Sequence, residues 1–503
     1  MEKIKESDVR SSMWNEIKWK RVDRYIHTLQ NRIYNASKND DLAEVQKLQK
    51  ILMKSPSAKL KAVRKVSQEN RGKKTSGVDG VRELTPIQQW KMAQEITLDG
   101  KAKAIRRVWI PKPNSEEKRP LGIPTMKDRA KQALAAMALE PEWEAKFETN
   151  SYGFRPGRSC HDAVEAIFIS INRKERYVLE GDIAKCFDKI NHEALLAKIN
   201  TFPAMRRQIK AWLRAGIMEG SELFPSETGT PQGGVISPLL ANIALHGMEN
   251  MLKEYISQRP MRDQHGKAMG KRQKMEQLTI VRYADDFVIL HPRLEIIEEC
   301  KEKISEWLVA MGLELKPSKT HILHSRLSIS GKKPGFNFLG FNIRQYSIGK
   351  YQIRKSKLAL NFRTLIKPQR EKTQSHIRQI STEMRKTKDP SQLLLRINPI
   401  IAGWTRYYRS AVSATIFKWC DTWLFRRLFE WASKKHPTRG AKWIRTKYFH
   451  TLGNQNWVFG YKKIADEQLI TVKTYTSTFI ERHVKVQGDG WPSYEIGYTG
   501  ETV

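Results

Sequence analysis

The spacing of apolar residues predicts helices towards both ends of the chain and short strands between them. From residue 14 to about residue 70, apolar residues recur at steps of three and four among many basic ones, which is typical of amphipathic helices with a cationic outer face. The same spacing returns from Lys127 to about Lys146, and again from about residue 353 to residue 435. Short β-rich runs broken by prolines, IRRVWIPK and RPLGIP, predict strands. Residues 436–503 are aromatic, basic and strand-like.

Two β-rich segments place carboxylates where strands end. Arg176 to Ile183 predicts a strand that ends at Asp182, and Asn191 is a plausible N-cap for the helix that follows. The stretch LTIVRYADDFVILHP sets Asp285 and Asp286 between two β-forming runs, which predicts a tight hairpin with both carboxylates at its tip. Such a pair is explained either by a solvated turn or by a cation held between like charges. The alternation of strands and helices predicts an α+β fold, in which one sheet can bring the three carboxylates together.

The charge balance indicates a polyanionic partner. The 503 residues include 90 Lys and Arg against 53 Asp and Glu, which leaves a formal net charge of +37. An excess of this size favours nucleic acid as the partner. The chain also contains 14 Trp, 15 Tyr and 17 Phe, which excludes a disordered basic tail, because such tails are poor in aromatic residues.

The spacing of the cysteines and the length of the apolar runs indicate in which cellular compartment the protein is expected. The four cysteines lie far apart without a C-x-x-C pair, so neither a disulfide framework nor a local zinc site is expected. No apolar run approaches the roughly 18 residues of a membrane span, and the N-terminal residues lack the apolar segment of a signal peptide. We therefore expect a protein of the cytoplasm or the nucleoid, with no membrane partner.

Five sequence blocks follow one another in an order that resembles the reverse transcriptases: EGDIAKCFD, GTPQGGVISPLLANI, VRYADDFVILH, LELKPSKT and FNFLGF. Two further segments, RPLGIPTMKDRAKQALAAMALEP and SYGFRPGRSCHDA, resemble the fingers of the subfamily that group II introns encode. The helical block that contains NPIIAGWTRYYR resembles the thumb or maturase region of that subfamily. The resemblance covers nearly the whole chain.

The resemblance implies a right-hand polymerase of four regions. We expect a basic helical extension over residues 1–75, fingers and palm over 76–350, a helical thumb or maturase domain over 351–435 and a small DNA-binding-like region over 436–503. Many relatives add a C-terminal HNH nuclease with paired cysteines and histidines. Because no cysteine follows Cys420, we expect no such nuclease and no DNA endonuclease activity, so that the primer would come from elsewhere, such as a nascent strand at a replication fork.

The resemblance assigns the catalytic chemistry to Asp182, Asp285 and Asp286. In reverse transcriptases these positions hold two Mg²⁺ ions, which can stabilise the attacking and the leaving oxygens of nucleotidyl transfer. Carboxylates suit this role because Mg²⁺ prefers carboxylate oxygens, phosphates and water. Asp188 lies outside the positions that resemble metal ligands, and we expect a structural role for it.

The resemblance also implies residues that contact the nucleotide, the nucleic acid strands and the intron RNA. A bulky ring at Phe187 would clash with a 2′-hydroxyl and so favour deoxynucleotides. The residues expected to bind the dNTP are Lys112, Arg119, Phe187, Gln232 and Lys319. Those expected at the primer or template are Tyr283, Gly233, Gly234, Phe338, Leu339 and Gly340. Contacts to RNA are expected from a group whose helical spacing also fits a buried core, namely Arg406, Tyr407, Tyr408 and Arg409.

The sequence therefore predicts an RNA-directed DNA polymerase that binds its group II intron RNA, assists the splicing of that RNA and copies it at a DNA target. Two alternatives stay open. One is a free-standing reverse transcriptase in host defence or repair. The other is an RNA-binding splicing factor that no longer polymerises, although the intact YADD sequence argues against it. No oligomeric state is predicted.

Overall fold

The computed structural model describes residues 13–111, 117–349, 361–453, 455–462, 469–486 and 490–492. Contacts group the chain into two compact units. The first unit comprises Met1–Ala163, Leu179–Ile322 and Val486–Val503, and the second comprises Val164–Val178 and Leu323–Lys485. The four regions expected from the sequence stay a prediction, because a grouping by contacts does not test which parts of the chain fold independently.

The strands, in chain order, are β1 Ile105–Pro111, β2 Lys118–Ile123, β3 Tyr177–Asp182, β4 Ile217–Glu219, β5 Glu222–Phe224, β6 Thr279–Tyr283, β7 Asp286–His291, β8 His321–His324, β9 Phe336–Phe338, β10 Phe341–Ser347, β11 Phe362–Pro368, β12 Phe449–Leu452, β13 Gln455–Lys462 and β14 Leu469–Thr471. The helices of eight or more residues are Trp19–Lys38, Leu42–Lys54, Pro56–Arg64, Pro86–Glu95, Met126–Lys146, Cys160–Ile171, His192–Ile199, Pro203–Leu213, Ser237–Leu245, Met248–Gln258, Leu294–Val309, Arg370–Arg385, Pro390–Tyr408, Ala414–Lys435 and Ala441–Tyr448.

The N-terminal helices pack on the long helix Met126–Lys146. Their amphipathic spacing produces one buried face, and polar side chains on that face reach the end of the long helix. Gln49 Nε2 donates to Glu142 Oε2 at 2.7 Å, and Ser37 Oγ donates to the Glu142 carbonyl oxygen at 2.9 Å. The helices expected in this part of the chain and from Lys127 to Lys146 are confirmed.

Two four-stranded sheets are formed by strands β1 to β8, between residues 105 and 324. One has the order β2-β1-β4-β5, with β1 and β4 parallel and the outer pairs antiparallel. The other has the order β6-β7-β3-β8 and carries the predicted carboxylates. The expected strand ending at Asp182 is confirmed as β3. The expected cap is also confirmed, since Asn191 Oδ1 accepts from the Ala194 amide at 2.9 Å at the start of the next helix.

The second unit combines helices with two small antiparallel sheets, β11-β10-β9 and β12-β13-β14. The helix expected from residue 353 is wrong over β11, which pairs with β10 from Phe362 opposite Ser347 to Pro368 opposite Phe341. Residues 353–360 of that expected helix lie outside the described residues, and after β11 the described regular helices begin at Arg370. The strand-like region after residue 436 also contains a helix, Ala441–Tyr448, before its strands.

Among the residues that the structure describes, no helix is both long enough and apolar enough to span a membrane. The four cysteines are free thiols, and Cys186, Cys300 and Cys420 are buried.

Candidate active site

Three carboxylates meet where β3 and the β6–β7 hairpin end. Asp182 closes β3 and is 8% exposed, while Asp286 opens β7 opposite Tyr283. The Ile183 amide donates to the Asp285 carbonyl oxygen at 3.3 Å and so links the strand end to the hairpin turn. Lys319 Nζ lies 2.9 Å from Asp182 Oδ2. The sheet therefore brings together all three predicted catalytic carboxylates and the lysine expected near the nucleotide.

The electrostatics of this cluster favour a bound cation. Burial raises the pKa of Asp285, and the negative charge of Asp182 raises it further. Burial likewise raises the pKa of Asp286, and the charges of Asp285 and Asp182 act in the same direction, while Lys319 opposes them. Carboxylates that disfavour each other's ionised form are stabilised when a cation lies between them.

The donor chemistry of the cluster fits a divalent metal ion, although its spacing is not already that of a metal site. Among the described residues, no group of three or more His, Cys, Asp or Glu side chains is arranged to hold an ion as it stands. Hard divalent cations prefer the carboxylate oxygens that Asp182, Asp285 and Asp286 supply. The lysine on Asp182 occupies part of that donor set, so binding an ion requires a small rearrangement of side chains.

The turn of the β6–β7 hairpin is held in a strained backbone conformation. Tyr283 pairs with Asp286, which leaves Ala284 and Asp285 as a two-residue turn, and Ala284 has a φ of +56°. This conformation is unfavourable for a residue with a Cβ. A Cβ added at Gly153 would lie 2.4 Å from the Ala284 amide nitrogen, so the segment behind the turn needs a glycine at that point.

A buried arginine braces the same turn from inside the protein. Arg282 Nη1 donates to the Ala284 carbonyl oxygen at 3.2 Å and to Asn242 Oδ1 at 3.1 Å. The Tyr152 amide donates to the Arg282 carbonyl oxygen at 2.9 Å. Burial lowers the pKa of Arg282 to about 10. This role of Arg282 was not predicted from the sequence. The feature that could have indicated it is a lone arginine inside an otherwise apolar β-forming run.

Four of the residues predicted to bind the nucleotide, Arg119, Phe187, Gln232 and Lys319, lie in the first unit. The fifth, Lys112, falls outside the described residues. Arg119, on β2, is exposed, and its charge lowers the pKa of Asp285 against the larger effect of burial. Phe187 is half-buried, with its ring edge-to-face on Phe154 at a centroid distance of 6.3 Å. Arg119 is therefore close enough for its charge to act on the carboxylates, and Phe187 lies in the turn that follows β3.

The loop that carries Gln232 lies against β2. The Gly122 amide donates to the Gln232 carbonyl oxygen at 2.6 Å. Gly233 has a φ of +115°, and a Cβ there would lie 2.6 Å from the Gly122 carbonyl oxygen. At Gly234 a Cβ would lie 2.6 Å from Ser237 Oγ. Gly233 therefore lets the loop approach β2 closely, and Gly234 lets it approach Ser237. The expected contact of both glycines with primer or template stays a prediction.

The predicted primer hairpin belongs to the second unit. Leu339 and Gly340, both with positive φ, form the two-residue turn between β9 and β10, and Phe338 is buried. Tyr407 Oη donates to the Leu339 carbonyl oxygen at 2.8 Å, and Tyr408 Oη donates to that of Gly340 at 3.1 Å. The hairpin is therefore fixed to the helix Pro390–Tyr408.

These contacts correct one expectation about RNA binding. Tyr408 is 3% exposed, and its ring packs against Phe341 and Trp404 at centroid distances of 5.1 and 4.8 Å. A ring enclosed in this way belongs to the core and has no face for stacking on an RNA base. Arg406 and Arg409 are exposed, and their contact with RNA stays a prediction.

Comparison with known proteins identifies three domains in the chain. The family described as reverse transcriptase (RNA-dependent DNA polymerase) matches residues 110–343. The N-terminal domain of reverse transcriptase matches residues 14–96, and the group II intron maturase-specific domain matches residues 370–449. Enzymes with the first domain generally use divalent metal ions. The chain therefore combines the domain of an RNA-directed DNA polymerase with that of an intron maturase.

Curated relatives agree with this assignment. Protein YkfC of Escherichia coli K12 is 33% identical over 356 residues, which is 63% of this chain and 88% of YkfC. The group II intron-encoded protein LtrA of Lactococcus lactis subsp. cremoris is 34% identical over 287 residues, 48% of this chain and 47% of LtrA. An uncharacterized 91 kDa protein in the cob intron of Schizosaccharomyces pombe is 32% identical over 261 residues, 44% of this chain and 32% of that protein. The chain thus spans less than half the length of the latter two relatives.

The family resemblance and the α+β right-hand polymerase fold expected from the sequence are confirmed. The chain belongs to the family of group II intron-encoded reverse transcriptases with a maturase domain.

Proposed function

We propose that this protein copies RNA into DNA at the carboxylate cluster, binds its group II intron RNA, assists the splicing of that RNA and copies it at a DNA target. The observation that carries the proposal is the meeting of Asp182, Asp285 and Asp286 at one sheet edge, in a chain that also has a maturase-specific domain. The maturase-specific domain also favours an intron-encoded protein over the alternative of a free-standing reverse transcriptase in host defence or repair.

The three carboxylates would hold two Mg²⁺ ions, which would stabilise the attacking and leaving oxygens of nucleotidyl transfer. The protein's own residues position the substrates. Arg119 offers a guanidinium that suits bidentate binding of triphosphate oxygens. Lys319, already 2.9 Å from Asp182 Oδ2, places an ammonium beside the reacting phosphate. Phe187 places a ring where it would exclude a 2′-hydroxyl.

Contact with intron RNA and with target DNA is proposed for basic surfaces of the second unit. The helix Ala441–Tyr448 exposes Lys442, Arg445 and Lys447. The chain has no acidic residue from His436 to Trp457, so no carboxylate in this segment offsets the positive charge of these side chains. Such cationic surfaces bind phosphates without reading sequence and bind less tightly as the salt concentration rises.

The test is primer extension on an RNA template with Mg²⁺ and dNTPs, using the wild type and the double variant Asp285→Ala/Asp286→Ala. The variant should lose DNA synthesis, because no other carboxylate replaces these ligands. A matched control is Glu298→Ala/Glu302→Ala, which removes two exposed carboxylates from the helix Leu294–Val309 and should leave synthesis unchanged.

Splicing of the intron RNA should survive in the Asp285→Ala/Asp286→Ala variant, since it requires a binding surface and not the carboxylates. Loss of both activities in a folded variant would refute this separation. A folded wild type that makes no DNA would instead favour the non-polymerising splicing factor.

A further inference from the structure

A small cavity lies beside the β6–β7 hairpin, within the first unit of the protein. It has a volume of about 10 Å³ and is lined by Glu148, Ser151, Met248, Glu249, Ile280 and Arg282. The polar and charged residues of this lining are all buried, with at most 8% of each exposed. A cavity of this size, with polar walls, has room for one water molecule.

Two polar groups in the cavity wall have no hydrogen-bond partner among the described residues, namely the Ser151 hydroxyl and Nη2 of Arg282. Ser151 is 2% exposed and Arg282 is 3% exposed, so bulk water does not reach them. Neither group can turn away. Ser151 stands opposite Arg282 in a parallel β-bridge, and Arg282 Nη1 is held by Asn242 Oδ1 and by the Ala284 carbonyl oxygen. An unpaired N–H on a buried guanidinium is costly, so the cavity calls for a ligand that accepts a hydrogen bond.

The charges around the cavity favour a neutral ligand. The carboxylate of Glu148 already has a partner, since His246 Nδ1 lies 2.9 Å from its Oε2. The carboxylate of Glu249 has one as well, since Lys253 Nζ lies 2.6 Å from its Oε1. A cation in the cavity would be repelled by Arg282, and an anion would be repelled by the two carboxylates. Water carries no charge and can both donate and accept.

We propose that the cavity binds one water molecule and that this water positions the β6–β7 hairpin through Arg282. The water accepts from Arg282 Nη2 and donates to Ser151 Oγ and to the Glu249 carboxylate, which are the three hydrogen bonds usual for a buried water. Arg282 Nη1 in turn donates to the carbonyl oxygen of Ala284, the residue before Asp285. Ser151 and Glu249 are therefore positioning residues. Their effect on DNA synthesis rests on the proposed polymerase function, whereas the water site does not.

The first test is a crystal structure of the full-length wild type at a resolution that shows ordered waters. One peak should lie within hydrogen-bond distance of Arg282 Nη2, Ser151 Oγ and a Glu249 carboxylate oxygen. No peak at this position would overturn the inference. Crystals soaked in bromide provide the control for an anion, because an anomalous bromide peak in the cavity would overturn the inference as well.

The second test compares two variants that separate the water from the hydroxyl. Ser151→Val replaces the hydroxyl with methyl groups that fill the cavity, so the water is expelled and Arg282 Nη2 stays unpaired. Single-turnover primer extension at saturating dNTP should slow by about tenfold, the equivalent of one hydrogen bond. The dNTP concentration for half-maximal rate should not change, because none of these residues is expected to touch the nucleotide. Ser151→Ala is the matched control, since it keeps the water with two of its partners and should slow the reaction by about two- to threefold.

Ser151→Thr keeps the hydroxyl and adds one methyl group, so it supplies a milder cavity-filling variant if Ser151→Val does not fold. Across the three variants the rate should follow the water peak. A variant that lacks the peak but keeps the wild-type rate would refute the positioning role. Equal slowing in Ser151→Ala and Ser151→Val would also refute it, since the hydroxyl alone would then account for the loss. A folded wild type that holds the water but makes no DNA would refute the proposed polymerase function and leave the water site standing.

Discussion

Gly153→Ala should disable DNA synthesis by displacing the turn that carries two of the proposed catalytic carboxylates. The new Cβ would lie 2.4 Å from the Ala284 amide nitrogen and 2.9 Å from the Tyr283 carbonyl carbon. Both neighbours are backbone atoms, so no flexible side chain can move aside. To reach the ordinary contact distance of 3.4 Å, one of the two segments must shift by about 1 Å.

This shift has two measurable consequences. Overpacking of a buried contact destabilises a protein by about 1 to 3 kcal/mol, which thermal or urea unfolding would detect. A misplacement of about 1 Å at reacting groups lowers a rate by about 100-fold. Since Asp285 follows Ala284 directly, we expect a loss of about that size in single-turnover primer extension.

Gly403→Ala is the matched control. Gly403 lies in the helix Pro390–Tyr408, and a Cβ there would meet no atom within 4 Å. This change should leave DNA synthesis intact and stabilise the helix by up to about 1 kcal/mol. If Gly153→Ala folds and extends primers within a factor of two of the wild type, the close approach of Gly153 does not set the position of the turn.

Two further predictions concern the sugar of the nucleotide and the acid stability of the fold. Phe187→Ala should lower the preference for dNTPs over NTPs in single-nucleotide incorporation, because the ring that would exclude a 2′-hydroxyl is removed; an unchanged preference would place the exclusion elsewhere. Burial alone would raise the pKa of Glu148, but the hydrogen bond and charge of His246 and the charge of Arg282 outweigh it and lower the pKa from 4.5 to about 2. Glu148 therefore contributes stability that is present above pH 4.5 and is lost as the pH falls towards 2, about 3 kcal/mol in all. Glu148→Gln should remove this pH dependence from the free energy of unfolding in urea, and parallel pH profiles for variant and wild type would contradict the assignment.

The meeting of the three carboxylates could be predicted from the sequence because its signals are local, while their catalytic role stays a proposal. A strand that ends at Asp182 and a hairpin that turns at Asp285 are both encoded within a few neighbouring residues. Their order and spacing along the chain then carried the family resemblance. The cap at Asn191 was readable for the same reason, since its side chain bonds an amide three residues ahead.

The features that the sequence did not reveal depend on contacts between distant residues. The strand β11 forms because it pairs with β10, which ends at Ser347, whereas the residues of β11 by themselves continue a helix-like spacing of apolar positions. Arg282 acquires its contacts only when residues near Tyr152 close over the hairpin, and Asp188 and Gln232, 44 residues apart, meet only in the folded chain. Each of these contacts is set by the tertiary fold, which no local pattern encodes.

The β6–β7 hairpin combines several features that oppose stability. Neighbouring carboxylates repel each other, a buried arginine is desolvated, and Ala284 has a left-handed backbone that costs about 1 to 2 kcal/mol. A solvated turn would need none of these, so they favour the cation-binding explanation of the Asp pair over a solvated turn. The surrounding fold holds this arrangement through three features: the amide of Tyr152, the guanidinium of Arg282 and the close approach that Gly153 allows because it has no Cβ. Strain that is fixed in this way holds the backbone that carries the two carboxylates, so that only side chains need to rearrange when a cation binds, and this fixed backbone suits the proposed polymerase site.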